Sequence, residues 1–401
     1  MKIIIPTLFG LESTVKEELL GLGIAPERVR TVDGRIDVDA ELRDVAATMA
    51  RCNLWLRTAE RVQLKVGGGR AVTFDELFDL AATVPWEEYI PAGWAFHVNG
   101  HSLKSKLFGV TACQSIIKKS MVKHLMSVRR IPAGTNLPED ERKGLIRMTF
   151  SIINDEVSFL LDTSGDGLHK RGYRPLSHTA PLKETLAAGL ILLSRWNPDS
   201  GEALLDPMCG TGTIPIEAGL IATHTAPGIH REFAAERWPW LPRGVFATAR
   251  EEAMDQRRSF PSGRPFLFGS DIDARNIATA AENAAKSGVS DIVSFVRGDV
   301  LNLTAEAIVN RTGAARNLIV TNPPYGERML DADQAKKLFG ALGSLWLEGG
   351  KVREGLRLSI IAPREGFEQD FGGIADKRRK LYNGMIQCNM HHYFKSRGGR
   401  K

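Results

Sequence analysis

The sequence predicts an α/β protein in which a doubly wound, mostly parallel sheet follows smaller α/β units. Three observations predict it. From near Pro181 to about residue 365, short apolar strands alternate with amphipathic helices, the pattern of a parallel sheet covered on both faces. Four of those strands end in side chains that can grip a polar ligand: Asp206, Asp271, Asp299 and Asn322. Ahead of them, strands, helices and a hairpin form two units that lack this alternation.

In order, "MKIIIPTL" reads as a strand and "ESTVKEELLGLG" as a helix ending at Gly21 or Gly23. "RVRTVDGRIDVDA" is a hairpin turned at Asp33-Gly34, and "LRDVAATMARCNL" a second helix. A strand, "ERVQLKVGGG", opens the next unit. The helix after it, "TFDELFDLAATV", has Thr73 and Glu76 at capping-box spacing. "WAFHVNGHS", the long helix "GVTACQSIIKKSMVKHLMSVRR" and the strand pair "RMTFSIINDEVSFLLDTSG" complete it. A basic linker, "LHKRGYRP", leads to a helix starting near Pro181 and to the alternating region. Residues 223–264, rich in Arg, Pro and Trp, interrupt that alternation as an insertion. "KRRKLYNGMIQCNMHHYFK" supplies the closing strands, with "KRRK" at 377–380 read either as a solvated turn or as a contact for RNA phosphates, and the last six residues read as a basic tail.

The composition, 43% hydrophobic and 25% charged over 401 residues, gives ample core for two or three domains. No segment reaches the apolar length of a membrane span, and the N-terminus lacks the h-region of a signal peptide. Cys52, Cys113, Cys209 and Cys388 are scattered without a CxxC. That spacing argues against a zinc site or disulfide framework and fits a reducing, cytoplasmic setting. No metal is expected.

The net charge of +6 permits a polyanionic partner, and its distribution says more. Between Tyr89 and Pro138 there is no Asp or Glu, while Lys104, Lys106, Lys118, Lys119, Lys123, Arg129 and Arg130 fall there. A solvated helix face usually mixes both signs, so the bias points to a nucleic-acid surface. On the long helix, Ile117, Met121, Leu125 and Met126 form the apolar side and leave the cations to solvent or RNA. Lys170 and Arg171 of the linker join this basic set.

The strand reaching Asp206 runs into a loop with Met208, Cys209, Gly210 and Gly212, and a helix begins near Thr213. Glycines there admit a ligand to the backbone, and the helix start offers unpaired N–H groups. The loop is neither a P-loop nor a GxGxxG turn. Asp271, followed by Ile272, can accept both hydroxyls of a ribose, whereas Asp273 reads as a helix cap. Asp299, followed by Val300, stands where an adenine amino group could donate. Cys209 reads as packing. His178 either lines the pocket or caps the next helix, and Glu327 and Arg328 either meet substrate or form surface pairs. His391 and His392 are adjacent on a strand, so they face opposite ways and do not ligate a metal jointly.

The glycine loop, the acidic strand ends and "NPPY" together resemble the class I S-adenosylmethionine-dependent methyltransferases that methylate amines. "LDTSGDGLHKRGYR", "APLKETLAAGLI", "LLDPMCGTGTIPIEAGLIA", "GSDID", "TNPPYGER" and "KLYNGMIQC" extend the likeness over about residues 50–390, to the THUMP-domain RNA guanine-N2 methyltransferases of the RlmL type. The resemblance implies a Rossmann-like catalytic domain over 166–395, a ferredoxin-like unit over 1–60 and a THUMP RNA-binding domain over 61–165. By the same likeness, Gly210 and Gly212 lie against the methionine part of the cofactor, Asp271 holds its ribose and Asp299 its adenine.

An exocyclic amine is a poor nucleophile, because its lone pair is delocalised into the ring. The Asn322 amide oxygen and the Pro323 carbonyl can accept its two hydrogens and turn it, while Pro324 stiffens the exit and Tyr325 stacks on the base. The expected activity is guanine-N2 methylation of RNA, 23S rRNA first. Guanine-N2 methylation of tRNA is the next reading, ahead of DNA adenine-N6 methylation. Glutamine methylation of a protein leaves the basic stretch without a role, and a scaffold with a vestigial pocket would bind no cofactor.

Overall fold

The computed structural model describes residues 1–132, 134–174, 182–260, 266–324, 332–363 and 365–396. The N-terminal half runs β1 (Lys2–Pro6), α1 (Glu12–Gly21), β2 (Val29–Val32), β3 (Arg35–Asp39) and α2 (Val45–Trp55). It continues with β4 (Gln63–Arg70), α3 (Phe74–Ala82), the single turn α4 (Trp86–Tyr89), β5 (Gly93–Leu103), α5 (Val110–Val128), β6 (Glu139–Ile153) and β7 (Glu156–Asp162). The β2–β3 hairpin turns at Gly34, whose φ of +71° suits a residue without Cβ. Thr73 caps α3 by accepting from the Glu76 amide at 3.2 Å, and Glu76 reaches past the cap to the Val72 amide at 2.7 Å.

The expected boundary at residue 60 does not separate two sheets. β1 pairs antiparallel with both β3 and β4, so one seven-stranded sheet runs β2-β3-β1-β4-β7-β6-β5. Val15, Met49, Leu77, Ile117 and Leu125, from four helices, share its core.

The second half holds α6 (Glu184–Leu193), β8 (Ala203–Asp206), α7 (Thr213–Ala222), α8 (Val245–Asp255), β9 (Leu267–Asp271), α9 (Ala274–Ser287) and β10 (Val293–Arg297). There follow α10 (Ala305–Thr312), β11 (Asn317–Thr321), α11 (Ala332–Trp346), a minimal hairpin β12 (Leu347–Glu348) and β13 (Lys351–Val352), and β14 (Leu356–Pro363). The last elements are α12 (Phe367–Phe371), β15 (Lys377–Asn383) and β16 (Ile386–Tyr393). The sheet order is β10-β9-β8-β11-β14-β16-β15, with β16 antiparallel to both its neighbours. α6 starts at Glu184, later than expected, and Pro181 lies outside the described residues. The closing strands form as expected, and "KRRK" is not a turn but the start of β15, where the neighbouring Arg378 and Arg379 both find partners. Arg378 pairs with Glu368, and Arg379 donates to the Gly10 carbonyl at 2.8 Å in the other half.

The insertion after α7 packs against the N-terminal half. Phe233, Trp238, Phe246 and Ala253 are buried in the same core as Met49 and Leu54 of α2. Backbone bonds fix it, from Gly228 N to Leu54 O at 2.9 Å and from Ala235 N to Thr163 O at 3.0 Å. Arg231 donates to the carbonyls of Gly167, Lys170 and Asp166, which ties the linker to the insertion. Among the described residues no helix is long and apolar enough to cross a membrane.

Candidate functional site

Strand order reverses between β8 and β11, and there the helices depart to opposite faces and leave a crevice beyond the strand ends. Both strands deliver polar groups to it. Thr321, the last residue of β11, donates its hydroxyl to Asp206 Oδ1 at 2.7 Å, and the same oxygen accepts from the Met208 amide at 3.2 Å. Asp206 is 3% exposed, so burial lifts its pKa from 3.8 to about 7 against the pull of those two donors. It shapes the loop from below.

The loop is closed from the next strand. Asp271 accepts from Gly210 N at 3.0 Å with one carboxylate oxygen, and from Asp273 N and Asn276 Nδ2 with the other. Gly210 has φ +52°, and a Cβ there would meet nothing within 4 Å, so this backbone faces open space. Gly212, at φ +84°, serves packing instead, since its Cβ would lie 2.7 Å from the Phe295 ring. Cys209 is buried, its N–H on Ser270 O at 2.9 Å. Burial and the nearby Asp206 and Asp271 push its thiol well up, which suits packing and not nucleophilic chemistry.

Thr213 is buried at the start of α7, and Ile272 is 65% exposed beside Asp271. Met208 packs into the core under β11, and Val300 is buried. Asp299 is exposed, and one of its oxygens caps the following turn by accepting from Leu301 N at 2.9 Å. Asp273 caps α9 through Arg275 N at 2.8 Å, as expected. Asn322 leaves β11 half-buried, with Oδ1 out of solvent and without a partner among the described residues. Pro323 is buried after it, and Pro324 is half-buried. Tyr325, Glu327, Arg328 and His178 lie outside the described residues. His391 bonds Glu368 and His392 bonds Ser359, on opposite faces of β16.

Among the basic residues, Lys104, Lys106, Lys119, Lys123 and Arg130 are exposed, and Lys118 is half-exposed, 3.9 Å from Glu139. Lys118, Lys119 and Lys123 rim a groove of about 670 Å³, floored by Val122, Met126 and Ile131. Met126 therefore sits in this groove and not on the buried side with Ile117, Met121 and Leu125. Arg129 is half-buried and donates to the Ile90 carbonyl. Lys170 is exposed and pairs with Asp166.

Arg171 is a correction. It is 4% exposed, donates to the Leu168 and Arg57 carbonyls, and pairs with Glu217 of α7 at 3.4 Å, so it cannot meet RNA. Burial works against its charge and Glu217 more than restores it. Tyr173 donates to the same Glu217 at 3.2 Å, and Arg57 reaches the carbonyls at the end of α7. Sequence reasoning missed this cluster, as well as Thr321 and Asn276. The apolar run around Glu217, "TIPIEAGLIA", was its one signal: a lone carboxylate on a helix apolar all round needs a buried partner.

A crevice of this make at the switch point, with an antiparallel strand slotted beside β14, defines a Rossmann-like methyltransferase. More narrowly, the chain belongs to the RMKL-like methyltransferases, whose domain matches residues 171–392, preceded by an RlmL ferredoxin-like domain at 2–63 and a THUMP domain at 71–133. It is 35% identical to a putative RNA methyltransferase, YpsC, of Bacillus subtilis, over 96% of this chain and 94% of the relative. It is 34% identical over 95% of its length to the ribosomal RNA large subunit methyltransferase K/L of Syntrophotalea carbinolica, and spans about half, 52%, of that longer relative. The crystal structure of SMU.472, a putative methyltransferase complexed with SAH, superposes with a TM-score of 0.85 at 34% identity, covering 99% of both chains.

Proposed function

We propose that this protein transfers a methyl group from S-adenosylmethionine to the exocyclic N2 amine of a guanosine in RNA, with large-subunit ribosomal RNA the first substrate to test. The observation that carries the reading is Asn322. Its Oδ1 is buried without a donor among the described residues at the end of β11, beside the strand whose loop is built around Gly210. A buried acceptor left unpaired is costly, and an amine with two hydrogens satisfies it.

The cofactor fits the residues present: the open backbone at Gly210, the Asp271 carboxylate, and α7, which starts without a side-chain cap. When bound, it supplies an electrophilic methyl on a sulfonium leaving group. Asn322 Oδ1 and the Pro323 carbonyl then accept the two amine hydrogens and localise the nitrogen lone pair. Positioning supplies most of the rate, and no covalent nucleophile is required. Guanine over adenine rests on the resemblance of the motifs to THUMP-domain guanine-N2 enzymes, and RNA is favoured by the THUMP domain with the cation-rimmed groove on α5.

Incubation with tritiated S-adenosylmethionine and total rRNA, tRNA or DNA tests the reading. Label in rRNA, recovered as N2-methylguanosine, supports it; label confined to tRNA or DNA overturns the substrate. Asn322→Ala should cut turnover about a hundredfold to a thousandfold while cofactor affinity changes little.

A further inference from the structure

Glu184 is left half-satisfied beside the cofactor loop. It opens α6, is 3% exposed, and places Oε1 2.6 Å from Arg174 Nη2. Its Oε2 is buried and has no partner among the described residues. Arg174 Nη1 reaches on to Thr213 Oγ1 at 3.3 Å, so one guanidinium joins Glu184 to the first residue of α7. A second orphan lies in the same loop, because Thr211 Oγ1 is also buried without a partner among the described residues. The adjacent Lys183 does not supply the missing donor, since its ammonium is held 2.9 Å from Glu60. Burial raises the Glu184 pKa, with Arg174 pulling the other way.

A buried carboxylate oxygen at this place calls for a donor from outside the chain, and a cationic one is the strongest. The amino-acid end of S-adenosylmethionine is a zwitterion, with three ammonium hydrogens and a carboxylate. We propose that Glu184, held by Arg174, is a binding residue for the α-ammonium of the cofactor, while the Thr211 hydroxyl and the uncapped start of α7 face its α-carboxylate. The arrangement selects the whole amino-acid end over an adenosine thioether that lacks it. The inference rests on the cofactor reading above.

Calorimetry on the full chain tests it with two probes, S-adenosylhomocysteine and methylthioadenosine, the second lacking the amino-acid end. Glu184→Gln should weaken S-adenosylhomocysteine about tenfold or more and leave methylthioadenosine unchanged. Equal loss for both probes, or no loss for S-adenosylhomocysteine, overturns the role of Glu184. If the wild-type chain binds neither probe, the cofactor reading itself falls. Where Glu184→Gln does not fold, wild-type protein is titrated with S-adenosylhomocysteine and its deaminated analogue. The analogue should bind about tenfold weaker, and equal affinity overturns the proposal.

Discussion

The lysines of α5 and Arg171 of the linker after β7 began as one basic set and end in opposite environments. Lys119 and Lys123 are exposed, with the Lys123 ammonium 5.5 Å from the Phe78 ring and its head still wet. Arg171 is sealed between α7 and the end of α2, where two carbonyls and Glu217 take up its donors. A planar guanidinium can satisfy its donors inside a protein, whereas an ammonium on a flexible stem is better kept in water. Residue type and position in the fold, more than local charge density, separate an exposed basic surface from an interface bolt.

The sharpest way to break this contrast is Arg171→Ala. It leaves the Glu217 carboxylate buried with the Tyr173 hydroxyl but without its bonded counter-ion and should cost roughly 3–5 kcal/mol, read by urea unfolding. A loss within 0.5 kcal/mol, the ordinary range for a surface residue, would return Arg171 to the surface set.

Asp206 sharpens it from the other side, as a buried charge with no counter-ion among its bonding partners. Its folded pKa of about 7 stands above the usual 3.8, so the native state favours the proton. The associated stability is whole below about pH 4 and is lost as pH rises through 7. Asp206→Asn keeps an acceptor for Thr321 and Met208. It should match wild type near pH 4 and gain up to about 4 kcal/mol by pH 8, measured by urea unfolding across pH. A gain that does not grow with pH would contradict this.

Reversing Lys118, Lys119 and Lys123 to Glu should weaken RNA binding about tenfold and flatten its salt dependence, with the melting temperature unmoved. Unchanged binding would make α5 an ordinary solvated face. Smallest of all, Lys170→Ala should shift stability by less than about 0.5 kcal/mol, since its pair with Asp166 is exposed.

Most of the fold was legible because its signals are local. The hairpin at Gly34, the cap at Thr73 and the start of α7 at Thr213 depend on residues within a few positions. The strand ends were legible too, since an apolar run that stops at Asp or Asn in an alternating sheet names its own ligand edge. Arg171, Met126 and Glu184 were not. Which side of an element meets another domain is decided by residues far away in the chain, and no short window contains both. Asp299 shows a second limit: a carboxylate at a strand end caps the next turn with one oxygen whatever else it holds.

The strap formed by the insertion has a consequence for inheritance. Phe233, Trp238 and Phe246 belong by sequence to the transferase half and by packing to the RNA-binding half. A transferase half cut free would carry these side chains into water, and an N-terminal half alone would have a hole in its core. Neither piece could be exchanged for a foreign counterpart without rewriting the strap, so recombination would have to move both together.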